Sequence, residues 1–137
     1  MSAPTIRAQY HFRASSRGLL AWDVRRLIRL AQEQDLQPRW VPLSQIAELD
    51  ENYWYGAACD AGAQPTPRAL AGHMRLALDA DTRYPILLCA EGRLMDGMHR
   101  LLQRLLQGHG DVLALRFATT PPPDHVGVAP DDLPYID

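Results

Sequence analysis

The stretch Tyr84-Pro85-Ile86-Leu87-Leu88-Cys89-Ala90-Glu91-Gly92-Arg93-Leu94-Met95-Asp96-Gly97-Met98-His99-Arg100 decides the fold. Its apolar run from Tyr84 to Ala90 predicts a strand, and Glu91-Gly92 a hairpin-type turn. Arg93-Leu94-Met95 returns as a second strand. Asp96-Gly97 then turns into a helix from Met98 to about Gln107, with Gly108 as a good C-terminal cap. A strand that turns directly into a helix leaves backbone N–H groups without intrahelical partners at the helix start, which makes an anion site. Asp96, His99 and Arg100 add a carboxylate, an imidazole and a fixed cation to that turn.

Downstream, Asp111 to Phe117 predicts one more core strand. Upstream, Thr66-Pro67 predicts a helix start, with Thr as cap and Pro in the first turn, and the helix runs to about Asp79. Leu19 to Gln34 reads as another helix, with Leu20, Val24, Leu27, Ile28, Leu30 and Ala31 as its apolar stripe. Ile6 to Phe12 alternates loosely and predicts an edge strand. Trp40-Val41-Pro42-Leu43 predicts a short strand and Ser44 to Glu51 a short helical turn. An aromatic patch from Asn52 to Gly56 and a small-residue loop from Ala57 to Gln64 follow. Thr119 to Asp137 is rich in Pro and Asp and reads as a tail or lid, with an edge strand near Val126-Gly127-Val128. The composite is α+β, a small mixed β-sheet with flanking helices. It forms a single domain over 1–137: an N-terminal arm and helix at 1–38, a core at 39–118 and a tail at 119–137.

Composition narrows the function classes. At 137 residues the chain supports one core. A net charge of −2 gives no electrostatic reason to expect DNA binding. All 14 basic residues are Arg, which excludes a lysine nucleophile, a Schiff base and a lysine-dependent phosphate loop. Cys59 and Cys89 lie far apart and show no metal-type spacing, so Cys89, inside an apolar strand, is expected to be a buried free thiol. No apolar run has the length of a membrane span and no basic-then-apolar leader begins the chain, so the expected setting is cytoplasmic, with no membrane partner. His11, His109 and His125 show no ligand spacing, and no structural metal is expected.

The segment Thr66 to Phe117 resembles the ParB/sulfiredoxin superfamily. The resemblance rests on the helix, the strand pair, the Asp96-Gly97-Met98-His99-Arg100 turn opening a helix, and the strand Asp111-Val112-Leu113-Ala114-Leu115. It implies a nucleotide ligand, ATP or another nucleotide, whose phosphates rest on Gly97, Met98, His99 and Arg100. The sulfiredoxin branch carries a catalytic Cys where this chain has Met98, which removes thiol chemistry. The chromosome-partition branch carries a helix-turn-helix domain after the motif, and the Pro/Asp-rich tail does not read as one. A third branch, of small-molecule kinases that include free-serine kinases, carries an Asp-Gly-His-His-Arg turn. This chain matches it at Asp96, Gly97, His99 and Arg100 and departs at Met98. That branch implies ATP-dependent phosphoryl transfer, with Mg²⁺, to a small hydroxyl metabolite. Asp96 would then be the base, and Glu48, Asp50 or Glu51 the assisting acid.

Each of these residues also has a plainer role. Asp96 serves as well as a turn residue, and His99 and Arg100 as a solvated helix face opposite Leu101, Leu102, Leu105 and Leu106. Met98 suits core packing. Glu48, Asp50 and Glu51 form an acidic turn beside Tyr53, Trp54 and Tyr55. Those aromatics suit either a substrate-binding pocket wall, with Trp54 as its main contact, or a homodimer contact. Thr66 and Arg68 suit either substrate binding or simple capping. His73 and Arg75 read as surface, and Arg7, Arg13 and Arg17 as a solvated arm. The main alternative to an enzyme is a non-catalytic, nucleotide-responsive adaptor or partner-binding module.

Overall fold

A computed structural model describes residues 9–55 and 64–135. Cys59, Arg7, the start of the N-terminal strand expected at Ile6, and most of the Ala57 to Gln64 loop lie outside those residues. The described part is a mixed α+β domain with three helices and two sheets. The strands are β1 (Tyr10–Arg13), β2 (Leu20–Asp23), β3 (Arg39–Pro42), β4 (Ile86–Leu88), β5 (Leu94–Asp96), β6 (Asp111–Arg116) and β7 (His125–Val126). The helices are α1 (Val24–Glu33), α2 (Pro67–Asp79) and α3 (Met98–Leu106). One sheet has the order β3-β6-β4-β5, with β4 and β6 parallel and the other pairs antiparallel. The other is β1-β2-β7, antiparallel throughout.

The main sheet is covered on both faces, and β4 shows why. Successive strand side chains point to opposite faces. Ile86 and Leu88 join Leu43, Ile46, Leu94, Met98 and Leu101 in one core cluster. Leu87 joins Trp22, Leu27, Ala31, Met95 and Phe117 in the other. A strand buried on both faces has no polar side to show, hence the unbroken apolar run in the sequence.

Two expectations need correction. The segment Leu19 to Gln34 is not all helix: Leu20–Asp23 is β2, the middle strand of the second sheet, and α1 starts at Val24. Asp23 marks the boundary, since its carboxylate accepts the Arg25 N–H at 2.9 Å as an N-cap. Ala21 and Trp22 are both buried in β2. Apolar residues on both faces of a short strand run into the helical stripe without a break, so periodicity merged the two. The tail holds the edge strand expected near Val126-Gly127-Val128, at His125–Val126. β7 pairs with β2, the Trp22 indole N–H donates to Pro121 O at 2.8 Å, and Leu133 is buried. Together β1, β2 and β7 form the second sheet, where a single sheet was expected.

The α-helix boundaries follow local chemistry. Thr66 Oγ1 accepts from Ala69 N–H at 3.1 Å, with Pro67 in the first turn of α2. At the end of α3, Gly108 (φ 80°) donates to Leu105 O and His109 to Arg104 O, the two bonds of a Schellman cap. The first turns of α3 face the core through Met98 and Leu101. Its last turn leaves the core cluster, and Leu105 and Leu106 are exposed rather than sharing the buried face expected for them.

Two residues lock the hairpin and helix in place. Glu48, 5% exposed, sits in a 3₁₀ turn (Ala47–Asp50) and accepts the Leu94 N–H of β5 at 2.7 Å, with Arg93 Nε 3.3 Å away. Gly97 has φ 112°, and a Cβ there would lie 2.6 Å from Ile86 Cγ2. Its missing side chain therefore lets α3 seat on β4. Glu48→Ala is expected to destabilise the fold by about 2–4 kcal/mol, because it strands a buried N–H and Arg93 loses a partner. Glu48→Gln, which keeps an acceptor for Leu94, is expected to lose less. Gly97→Ala combines positive-φ strain with a clash and is expected to cost about 2–4 kcal/mol. Urea denaturation checks all three.

Candidate functional site

A cleft of about 1250 Å³ lies between the β1–α1 layer and the turn that opens α3. Phe12 and Ile28 line one side, and Asp96, Gly97, Met98, His99 and Arg100 line the other together with Trp54 and His73. The cleft thus gathers six of the residues singled out by sequence: Asp96 through Arg100, and Trp54. Glu48, Glu51, Thr66 and Arg68 are not part of its lining.

The start of α3 carries no side-chain cap, and the first helix-closing bond runs from Leu101 N–H to Gly97 O. The amides of Met98, His99 and Arg100 precede that bond. Met98 is 6% exposed and packs in the core, so its side chain offers the cleft little. Gly97 is needed first for the approach of α3 to Ile86, a different reason from the close approach of a phosphate expected of it.

Asp96 ends β5 with its side chain 15% exposed. Arg100, one helical turn on, donates from Nη2 to Asp96 Oδ2 at 2.6 Å. Its Nη1 donates to the carbonyls of Tyr84 and Pro85. One guanidinium therefore ties the first turn of α3 both to the carboxylate and to the chain entering β4. Burial pushes the Asp96 carboxyl above its ordinary value, and the charge and hydrogen bond of Arg100 oppose that shift without cancelling it.

His99 belongs to a ring stack that the sequence did not reveal. His73 Nδ1 and His99 Nε2 are 2.9 Å apart and share a hydrogen bond. The Trp54 ring lies parallel to His73, with centroids 3.6 Å apart and planes 13° apart, and 5.2 Å from His99. Tyr53 meets Trp54 edge-on. Burial, then the neighbouring His73 and Arg100, hold His99 down to about 4, so its ring is neutral at neutral pH. Trp54 thus sits against two imidazoles in the cleft wall. By its polarity on α2 His73 reads as a surface residue, but it is half-buried in this stack. No sequence signal marks it, because its partner His99 comes from the facing helix α3, a tertiary contact.

The two glutamates have another occupation. Arg93 donates to both Glu51 carboxylate oxygens, at 2.9 and 2.7 Å, and also approaches Glu48. Those bonds hold the Glu51 carboxyl below its ordinary value. Thr66 caps α2, and Arg68 is exposed on its first turn. Cys89 is a buried free thiol, donating to Glu91 Oε2 at 3.1 Å. Arg13, expected on a solvated arm, donates to Leu94 O and to His11 Nε2. Among the described residues no three His, Cys, Asp or Glu side chains group as metal ligands, and no helix is long and apolar enough to cross a membrane.

Comparison with protein families, with characterised proteins and with solved structures returns no match to this chain.

His11 also lines the cleft, and burial, with Arg13 and Arg93 nearby, holds it down to about 3. Both His11 and His99 have an ordinary value of 6.5 when unfolded. Below that pH the unfolded chain takes up protons that the native rings refuse, so native stability falls as pH drops from 6.5 towards 4. Asp96, shifted upward, gives the opposite slope in a window just above 3.8. Thermal melts across pH 4–7 are expected to show the loss on acidification. His11→Gln, which keeps an acceptor for Arg13 and cannot titrate, is expected to flatten the slope.

Proposed function

We propose that the cleft binds a nucleotide, with its phosphates on the amides of Met98, His99 and Arg100 and its base beside Trp54 and His99. The carrying observation is the uncapped start of α3 opening onto a cleft that also holds a parallel ring stack. The reading takes further support from the resemblance of the Asp96-to-Arg100 turn to the ParB/sulfiredoxin-like superfamily. Two features of the topology accord with it: the β4–β5 hairpin leading into α3, and β6 returning parallel to β4.

The proposed reaction is phosphoryl transfer from ATP to a small hydroxyl compound. An incoming phosphate competes with Asp96 for Arg100. Once Arg100 turns to the phosphate, Asp96 loses the cation that lowers its pKa and becomes a stronger base in a buried setting. It then takes the hydroxyl proton as the substrate oxygen bonds to the γ-phosphorus and the bond from that phosphorus to the β-phosphate oxygen breaks, releasing ADP. Mg²⁺ would neutralise phosphate charge, with Asp96 the cleft carboxylate nearest the phosphate-binding amides in sequence. One observation favours the second reading, a nucleotide-responsive module without turnover. Glu48 and Glu51, two of the candidate assisting acids, are both engaged by Arg93 away from the cleft lining.

Calorimetry with ATP and CTP, followed by ADP release with Mg²⁺ and pooled hydroxy metabolites, tests both readings. The kinase reading expects nucleotide binding, ADP formation that depends on added metabolite, and an Asp96→Asn variant that binds but does not turn over. Arg100→Met is expected to weaken binding about tenfold, ~1.4 kcal/mol. Binding without ADP formation, equal in wild type and Asp96→Asn, selects the module. Failure to bind any nucleotide at millimolar concentration overturns both.

A further inference from the structure

The cleft has room for more than one small molecule: about 1250 Å³, against roughly 300–1,000 Å³ for a site that holds one. The proposed nucleotide takes the part walled by Trp54, His73 and the start of α3. The remainder lies between α1 and the main sheet, and its chemistry is different. Val24, Ile28 and Ala31 stand at i, i+4 and i+7 on α1, one face of the helix. Leu36 follows them, and Leu87 of β4 and Leu115 of β6 line the cleft from the sheet. Ile28, Leu36 and Leu115 pack on the second core cluster yet are only partly buried, so that core is left open along this edge. Among the described residues, none that β1, α1, β4 or β6 gives to the lining is charged.

One polar group in this part is fixed in form. The Arg13 guanidinium can only donate, and its Nε lies 2.9 Å from His11 Nε2. Nε2 is therefore the acceptor, and the neutral ring carries its proton on Nδ1. Burial, with Arg13 and Arg93 nearby, keeps the ring in that neutral form. Trp22 holds the arrangement, packed against the His11 ring with centroids 5.7 Å apart and under the Arg13 guanidinium at 5.4 Å. The His11 Nδ1–H has no acceptor among the described residues. The cleft therefore offers an uncharged donor among aliphatic side chains.

We infer that the part of the cleft between α1 and the main sheet is a second compartment, which binds an uncharged aliphatic molecule through an oxygen that accepts from His11 Nδ1–H. The aliphatic walls take the body of the ligand, and the single donor takes its oxygen. A polyol or a hydroxy amino acid fits poorly, because each hydroxyl or charge left unpaired against those walls costs free energy. Resting on the nucleotide reading above, the same compartment gives the class of the phosphoryl acceptor: an aliphatic hydroxy ketone, with its carbonyl at His11 and its hydroxyl free to meet Asp96.

Ligand-observed NMR of the full chain tests the compartment with three probes: cyclohexanone, cyclohexane, which is the same body without the oxygen, and glycerol, which is hydroxyls without the body. Cyclohexanone is expected to bind at least tenfold more tightly than glycerol and about fivefold more tightly than cyclohexane, the worth of one hydrogen bond. ATP at saturation is expected to leave that affinity unchanged. His11→Phe is expected to bring cyclohexanone down to the affinity of cyclohexane. His11→Gln, which keeps both an acceptor for Arg13 and an N–H, is expected to restore the difference, a ratio that a folding defect does not produce. Ile28→Trp, which fills the compartment, is expected to abolish cyclohexanone binding and leave ATP binding intact. In the ADP assay 4-hydroxycyclohexanone is expected to drive turnover and glycerol and serine are not. ATP binding with no cyclohexanone binding at millimolar concentration overturns the compartment and leaves the nucleotide reading standing. Cyclohexanone that competes with ATP, or glycerol that binds as tightly, also overturns it. Turnover driven by glycerol or serine alone overturns the acceptor class. Cyclohexanone binding without any ATP binding overturns the nucleotide reading and leaves the compartment.

Discussion

Ile86 fills the space that a side chain at position 97 would need. That close approach lets the first turn of α3 lie directly on β4, and much else depends on it. With α3 seated there, Met98 and Leu101 reach the core, and Asp96 and Arg100 fall within ion-pair distance across the turn. The same placement sets His99 against His73 on α2, so the ring stack with Trp54 is a consequence of how closely a helix can approach a strand. A left-handed residue at the turn and an absent Cβ are two separate demands, and glycine meets both.

The Arg100–Asp96 pair has two aspects that pull against each other. As a structural device it ties strand end, helix start and the entry to β4 through one guanidinium, with two backbone carbonyls as further acceptors. As part of a binding site it occupies the cation that an anionic ligand would seek. These uses are compatible because the pair is only partly buried, with a fifth or less of each side chain exposed. In the proposed complex a ligand phosphate would take over the guanidinium, leaving Asp96 able to hold a proton. A fully buried pair could not exchange partners without leaving a bare charge in the core, which costs several kcal/mol. Glu48 shows the contrast. It is buried more deeply and serves a backbone N–H, and its place is in the framework.

Much of the fold was legible because its signals are local. Thr66-Pro67, Asp96-Gly97 and Gly108 punctuate the chain through short-range chemistry, and α2 and α3 begin and end close to where those residues predict. The errors fall where information is tertiary. Leu20 to Asp23 continues a helical-looking stripe, and only its partners β1 and β7, one of them a hundred residues away, make it a strand. Arg93 looked unremarkable, yet it engages two of the acids that the sequence offered for chemistry. Ion pairing across loops leaves no trace in periodicity. His73 was misplaced for a related reason: a polar residue on a helix reads as surface unless the facing helix is known, and α3 supplies the partner.

Helix α2 joins these themes, because its two faces answer to different constraints. Toward α3 it is held by small and polar contacts: buried Ala77, the imidazole of His73, and carbonyls closed by Gln103. These specify position more than they supply burial. Toward solvent it carries leucines and a methionine that contribute nothing to the monomer's core. An amphipathic helix that turned its apolar face inward would be better anchored, since apolar burial supplies the larger share of folding energy. In α2 the arrangement is inverted, and the polar contacts that hold it are the ones that set His73 and the ring stack beside the cleft.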